Sequence, residues 1–201
     1  MISRRLIRVK VLQLLYAYFS GNNTDGLPKY EKDLQKSIEK SYDLYHLFFL
    51  LLIDVHRLAQ DKLELRKSRL TASAEDLNPN TRFIDNAVIN IVRQTESLQV
   101  YADSKKLSWS DVPELIKNVY NTMVGSESYK AYMASSDSSF EADQKFIMNF
   151  FNEYLADNDM LYQTLEEKSI YWCDDIEFVL SMNIKTVENL KPTSKLLSMM
   201  N

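Results

Sequence analysis

Apolar side chains recur at three- and four-residue intervals over most of the chain, and no stretch shows the sustained alternation of a half-buried strand. The first such segment runs from about Leu6 to Phe19, with Ser3 placed to cap it and the stretch Gly21 to Pro28 ending it. Val11, Leu14, Leu15 and Tyr18 form one stripe, while Leu6, Leu12, Tyr16 and Phe19 carry apolar character around the circumference. This pattern predicts a helix enclosed by others at the centre of a bundle.

From Pro28 to about Leu70 the period stays helical, with Leu34, Ile38, Tyr42, Tyr45 and Phe49 on one face and Lys29, Lys32, Lys36 and Lys40 on another. Unbroken, this helix would extend about 60 Å at about 1.5 Å per residue. A globule of this length has a radius of gyration near ~17 Å, so the helix must bend or the molecule must be elongated. Leu47 to Ile53 is apolar in every direction and must be covered on all sides.

A turn at Leu77-Asn78-Pro79-Asn80 leads into a predicted helix over Phe83 to Val100, and Ser110, Asp111 and Pro113 open another through Val124. Residues 126–139, with the run Ala134-Ser135-Ser136-Asp137-Ser138-Ser139, read as a serine-rich linker between an N-terminal helical region (1–125) and a C-terminal one (140–201). Ser138 and Glu141 have capping-box spacing. Phe140, Phe146, Ile147, Phe150, Phe151, Tyr154 and Leu155 then form an aromatic amphipathic helix, whose period favours core packing over a base-stacking platform. Ile176 to Leu190 makes one more helix, ending at Lys191-Pro192. Three glycines and four prolines, the prolines lying at or between segment starts, leave an all-α multi-helix bundle with a long second helix as the expected fold.

Charge changes this picture at one place. The chain carries a formal net charge of −4, yet residues 1–24 contain Arg4, Arg5, Arg8 and Lys10 and no carboxylate, so the remainder is at −8. Cations in the first two turns face the positive end of the helix dipole, which costs about 0.3–1 kcal/mol each. Such a local basic start on an acidic body fits a polyanion contact confined to one surface. The lysine stripe of the second helix shares its face with Glu39 and Asp43 and reads as solvated surface. Ser3-Arg4-Arg5 before an apolar run is also the beginning of a twin-arginine export signal, but Arg8, Lys10 and Gln13 interrupt the run and no small-x-small cleavage site follows. With a single cysteine, Cys173, read as a small buried residue, a reducing cytoplasm is the expected compartment. The longest apolar run falls short of the ~20 residues of a membrane helix.

Catalytic chemistry finds little footing. Scattered glycines exclude a phosphate-cradling loop, and two histidines ten residues apart, His46 and His56, read as packing residues and not as metal ligands. The adjacent pairs Asp174-Asp175 and Glu166-Glu167 point about 100° apart on a helix and do not converge on a substrate. No catalytic residue, metal or cofactor is expected, and the chain reads as a non-enzyme.

Taken as Arg4-Arg5-x-x-Arg8 followed by Gln13-x-Leu15-Tyr16, the first helix resembles the start of the NusB family of bacterial transcription antitermination factors. The aromatic helix, Leu161, Leu165 and Trp172 are similar to the middle helix and following tryptophan of that family. Ile7 and Val11 stand where the family often has alanine, the stretch from about Tyr30 to Ser138 is longer than usual, as in a long variety of the family, and the family's C-terminal signature is not found. The resemblance implies two packed helical subdomains and a role in binding BoxA-type single-stranded RNA beside the ribosomal protein NusE in the transcription elongation complex, with room for a homodimer. It nominates Arg4, Arg5 and Arg8 as RNA contacts, and Lys10 joins them on charge alone. The alternative is a helical protein-interaction scaffold without RNA binding, its arginines paired to acidic groups of the body.

Overall fold

The computed structural model describes residues 4–21, 26–68 and 78–192. Among these the chain forms nine helices and no strand: α1 (Arg4–Ser20), α2 (Leu27–Lys67), α3 (Ala87–Arg93), α4 (Glu96–Lys105), α5 (Pro113–Gly125), α6 (Glu127–Ala134), α7 (Phe140–Asn149), which continues into a π-helical turn (Phe150–Leu155), α8 (Asp159–Lys168) and α9 (Ile176–Glu188). The all-α bundle expected from the periodicity is the observed architecture. Ser3, Leu70 and Leu77 lie outside the described residues.

The spine is α2. Pro28 in its first turn and Arg66 and Lys67 in its last suit the two ends of the helix dipole, and the helix runs unbroken for about 60 Å. It packs against α1, α3, α4, α5 and α9. Leu47, Phe48, Phe49, Leu51 and Leu52 are buried at its middle. Side chains of three other segments tie α2 through its own carbonyls: Trp172 Nε1 donates to Lys40 O (2.8 Å), Asn183 Nδ2 to Tyr45 O (3.0 Å) and Trp109 Nε1 to Leu47 O (2.8 Å). Each bond satisfies an aromatic or amide donor that the bundle would otherwise bury unpaired.

Within residues 126–139, Glu127–Ala134 form a capped helix, and 135–139 join it to α7. Ser126 caps α6 by accepting from Tyr129 N, and α6 buries Tyr132. The Tyr132 hydroxyl donates to Asp143 Oδ1 (2.7 Å), Asn86 Nδ2 donates to that hydroxyl (3.0 Å), and Asp143 Oδ2 accepts from Ala87 N (2.8 Å). Asn86 in turn caps α3, its Oδ1 accepting from Val88 N and Ile89 N at 3.0 Å each. This buried network welds α3, α6 and α7, and the apolar side chains of both halves of the chain form one continuous core. The cap of α7 is Ser139, accepting from Ala142 N, and not Ser138. The helix expected over Phe83 to Val100 is two, because the Thr95 hydroxyl returns to Ile91 O and Thr95 itself takes an extended conformation between α3 and α4.

In the aromatic segment, Phe146, Ile147, Phe150, Phe151, Tyr154 and Leu155 are all buried, so the choice of packing over stacking holds. Its widening into a π-helical turn sets Phe150 and Phe151 edge-to-face at 5.6 Å. At the end of α4, Lys106 takes φ 55°, a left-handed cap that more often carries glycine, with Leu107 N donating back to Ala102 O.

Both histidines are buried. His46 Nδ1 donates to Tyr42 O and His56 Nε2 to Ile84 O, each at 2.9 Å, which fixes the neutral tautomers. Desolvation pushes both imidazoles below their ordinary 6.5. The unfolded chain then binds more protons than the folded one as pH falls through about 6.5, and stability falls with it. The thermal midpoint is expected to drop between about pH 7.5 and about pH 5.5, and a His46→Gln/His56→Gln variant to flatten that slope; a wild-type midpoint level across the interval contradicts the assignment.

Candidate nucleic-acid interface

Helix α1 lies on the outside of the bundle, packed along α2, and not at its centre. Of its side chains only Leu6 and Lys10 are buried. Lys10 enters the interior in place of an apolar residue: its Nζ lies 2.7 Å from Asp175 Oδ2 and donates to Ser37 Oγ at 2.7 Å. The Ser41 hydroxyl donates to the same Asp175 oxygen. Lys10 and Asp175 expose only 4% and 3% of their side chains, so the pair is shut away from water. One turn on, Gln13 Nε2 donates to Asp174 Oδ2 at 2.8 Å. The turn between α8 and α9 thus reaches α1 with two consecutive carboxylates, while Trp172 of the same turn holds α2.

The consequence for the four basic residues is a division. Lys10 is withdrawn from any RNA contact: its charge is neutralised inside the protein by Asp175, so charge alone was a false guide to its role. Arg4, Arg5 and Arg8 are exposed, together within the first two turns of α1. Among the described residues neither Arg4 nor Arg8 has an ion-pair partner, and α1 contains no Asp or Glu. Three guanidinium groups at one end of a carboxylate-free helix give a cluster of planar, multiply donating cations suited to phosphate oxygens.

The same anchoring turns one apolar row of α1 outward. Leu12, Tyr16 and Phe19 are 68%, 72% and 74% exposed, with Ile7 and Leu15 beside them. Across a groove of about 460 Å³ between α1, α2 and the α8–α9 turn, Ile170 is also exposed. The helix therefore packs by a mixed face, Leu6, Lys10, Leu14 and Tyr18 toward the body, and leaves a second apolar row, Leu12, Tyr16 and Phe19, facing away.

Asp174 and Asp175 were legible as a diverging pair, and they do diverge, each to a different residue of α1. What sequence reasoning missed is that Asp175 is the internal counterion of Lys10. The available signal was the spacing Lys10, Gln13, Ala17, a polar and small stripe at helical period along an otherwise apolar helix. Cys173, beside these carboxylates, is exposed and not the buried residue expected. The α2 lysines remain surface groups, with Lys36 5.4 Å from the Tyr171 ring centroid and Lys40 paired to Asp43 at 2.7 Å.

Among the described residues no group of three or more His, Cys, Asp or Glu is placed to hold a metal ion, and no helix is long and apolar enough to cross a membrane. Comparison with protein-family models, with curated proteins and with solved structures gives no match for the chain.

Removing one partner of a closed ion pair leaves the other charge stranded, at a cost of about 3–5 kcal/mol, whereas an apolar pair of similar volume is often tolerated. Lys10→Ala is expected to lower unfolding free energy by about 3 kcal/mol, and Lys10→Met/Asp175→Leu to restore most of it, while Arg8→Ala stays within about 0.5 kcal/mol of wild type. Denaturant titration checks this, and a Lys10→Ala loss no greater than that of Arg8→Ala contradicts it.

Proposed function

We propose that this protein is a non-enzymatic, RNA-binding transcription antitermination factor of the NusB type, which binds BoxA-type single-stranded RNA together with the ribosomal protein NusE. The observation that carries the reading is the cluster of Arg4, Arg5 and Arg8 at the exposed start of a helix without carboxylates, on a body of net negative charge. Phosphate contacts from these groups supply affinity and orientation, and the acidic remainder keeps the strand to this one surface. The resemblance of Arg4-Arg5-x-x-Arg8 and Gln13-x-Leu15-Tyr16 to the family's opening motif supplies the RNA class.

The exposed apolar face of α1 supports a second reading, a helical scaffold whose contact is with protein alone. An outward row of Leu12, Tyr16 and Phe19 suits a protein groove that takes an amphipathic helix. In the antitermination reading this face and the arginines act side by side, one toward a protein and the other toward RNA.

Three arginine contacts to a single strand correspond to a log–log salt slope of about −2. In an RNA shift assay with a BoxA-type oligonucleotide, the Arg4→Glu/Arg5→Glu/Arg8→Glu variant is expected to lose binding and wild type to show that slope. Unchanged RNA binding by the variant overturns the arginine site, and wild-type protein that binds no RNA while retaining a protein partner through α1 favours the scaffold.

A further inference from the structure

A second basic feature lies near the far end of α2, about 35–40 Å along the helix from Ser37. Here α2, the turn before α3, α5 and α6 enclose a groove of about 330 Å³, within the range of small-ligand pockets. Its walls are apolar and aromatic, including Phe83, Tyr120, Tyr129 and Met133, and its lining contains no Asp or Glu. Lys62 and Arg66, one helical turn apart on α2, supply its only charges. Lys62 Nζ stands 4.0 Å from the centroid of the Tyr120 ring, held against the wall by cation–π attraction. Among the described residues neither cation has a carboxylate partner, and neither the Tyr120 nor the Tyr129 hydroxyl has a hydrogen-bond partner. The Arg66 charge acts on both tyrosines and opposes the rise that burial gives their hydroxyls, which places all three groups around one space.

On a protein of net charge −4, a groove that holds two cations and two hydroxyls without partners among the described residues, between aromatic walls, selects a ligand that is anionic at one end and flat and apolar at the other. An inorganic anion would leave the aromatic wall idle, and a neutral aromatic would leave the cations idle. We propose that this groove binds a nucleoside phosphate, with the phosphate between Lys62 and Arg66 and the base against Tyr120 and Tyr129. The phosphate supplies acceptor oxygens to both cations and to the tyrosine hydroxyls, and the base displaces water from the apolar floor. The site is separate from the arginines of α1, so it stands whether or not they bind RNA. A free nucleotide and one residue of an RNA strand present the same chemistry.

Calorimetric titration with AMP and UMP tests it. Wild type is expected to bind at least one of them at about 1 mM or tighter, and adenosine and inorganic phosphate each about tenfold more weakly or worse. Lys62→Ala/Arg66→Ala is expected to weaken nucleotide binding about tenfold or more with an unchanged thermal midpoint, since Arg66 is exposed and Lys62 only half-buried, and Tyr129→Phe is expected to weaken it by a smaller factor. The source is separated with a short single-stranded RNA in an Arg4→Glu/Arg5→Glu/Arg8→Glu background: tighter binding than the mononucleotide assigns the groove to a strand, and equal or weaker binding to a free nucleotide. No binding of either mononucleotide at about 10 mM, equal binding by wild type and the Lys62/Arg66 variant, or inorganic phosphate as tight as the nucleotides overturns the proposal.

Discussion

The placement of α1 rests on one buried ion pair. Lys10 and Asp175 join residues 165 positions apart in the chain, and the serines at 37 and 41 of α2 complete the hydrogen bonding around them. An ion pair so enclosed gains little net stability, because the desolvation of both charges offsets most of their attraction. Its effect is on specificity: with one ammonium and one carboxylate to match, α1 has a single favourable rotation about its own axis. A purely apolar helix with hydrophobic residues on every side would have several. That fixed rotation sends Arg4, Arg5 and Arg8 to the surface and turns Leu12, Tyr16 and Phe19 outward.

The helical fold was legible in the sequence because long period-3.6 patterns with few glycines leave little alternative. The long second helix and the aromatic packing of α7 follow from periodicity, and so does most of the burial at Leu47–Ile53, where Leu50 and Ile53 stay half-buried against the expectation of cover on every side. The errors have a common cause. Reading α1 as central took apolar character all around a helix to mean burial, whereas Lys10 found its partner on a distant turn that no local pattern reveals. Reading 126–139 as a serine-rich linker passed over the helix inside it; Ser126 and Ser139 are helix caps, and Tyr132 is drawn inward by Asn86 and Asp143. Short polar residues are as much helix starts as loops, and only the long-range partner decides. Of the basic cluster, the three arginines were readable as surface charge. Lys10 was not, since charge counting cannot tell a neutralised ammonium from an open one, and the Lys62–Arg66 groove assembles only when α2, α5 and α6 come together.

Along α2 the molecule sorts its chemistry by position. Along the N-terminal half of α2 lies α1, antiparallel, with its exposed guanidinium groups and apolar face; in the middle is a core tied to α2 carbonyls by Trp172, Asn183 and Trp109; toward the C-terminal end is the cationic, aromatic groove. The spine holds the two basic features at a fixed separation on a protein whose net charge is −4.

Hydrogen–deuterium exchange across α1, in wild type and Asp175→Asn, tests the central claim most directly. If the ion pair fixes this helix, the amides of residues 8–16 lose protection by about tenfold or more in the variant while those of residues 44–52 of α2 do not change. Equal protection of α1 in both proteins would contradict the account, because the helix would then be held by its apolar contacts alone.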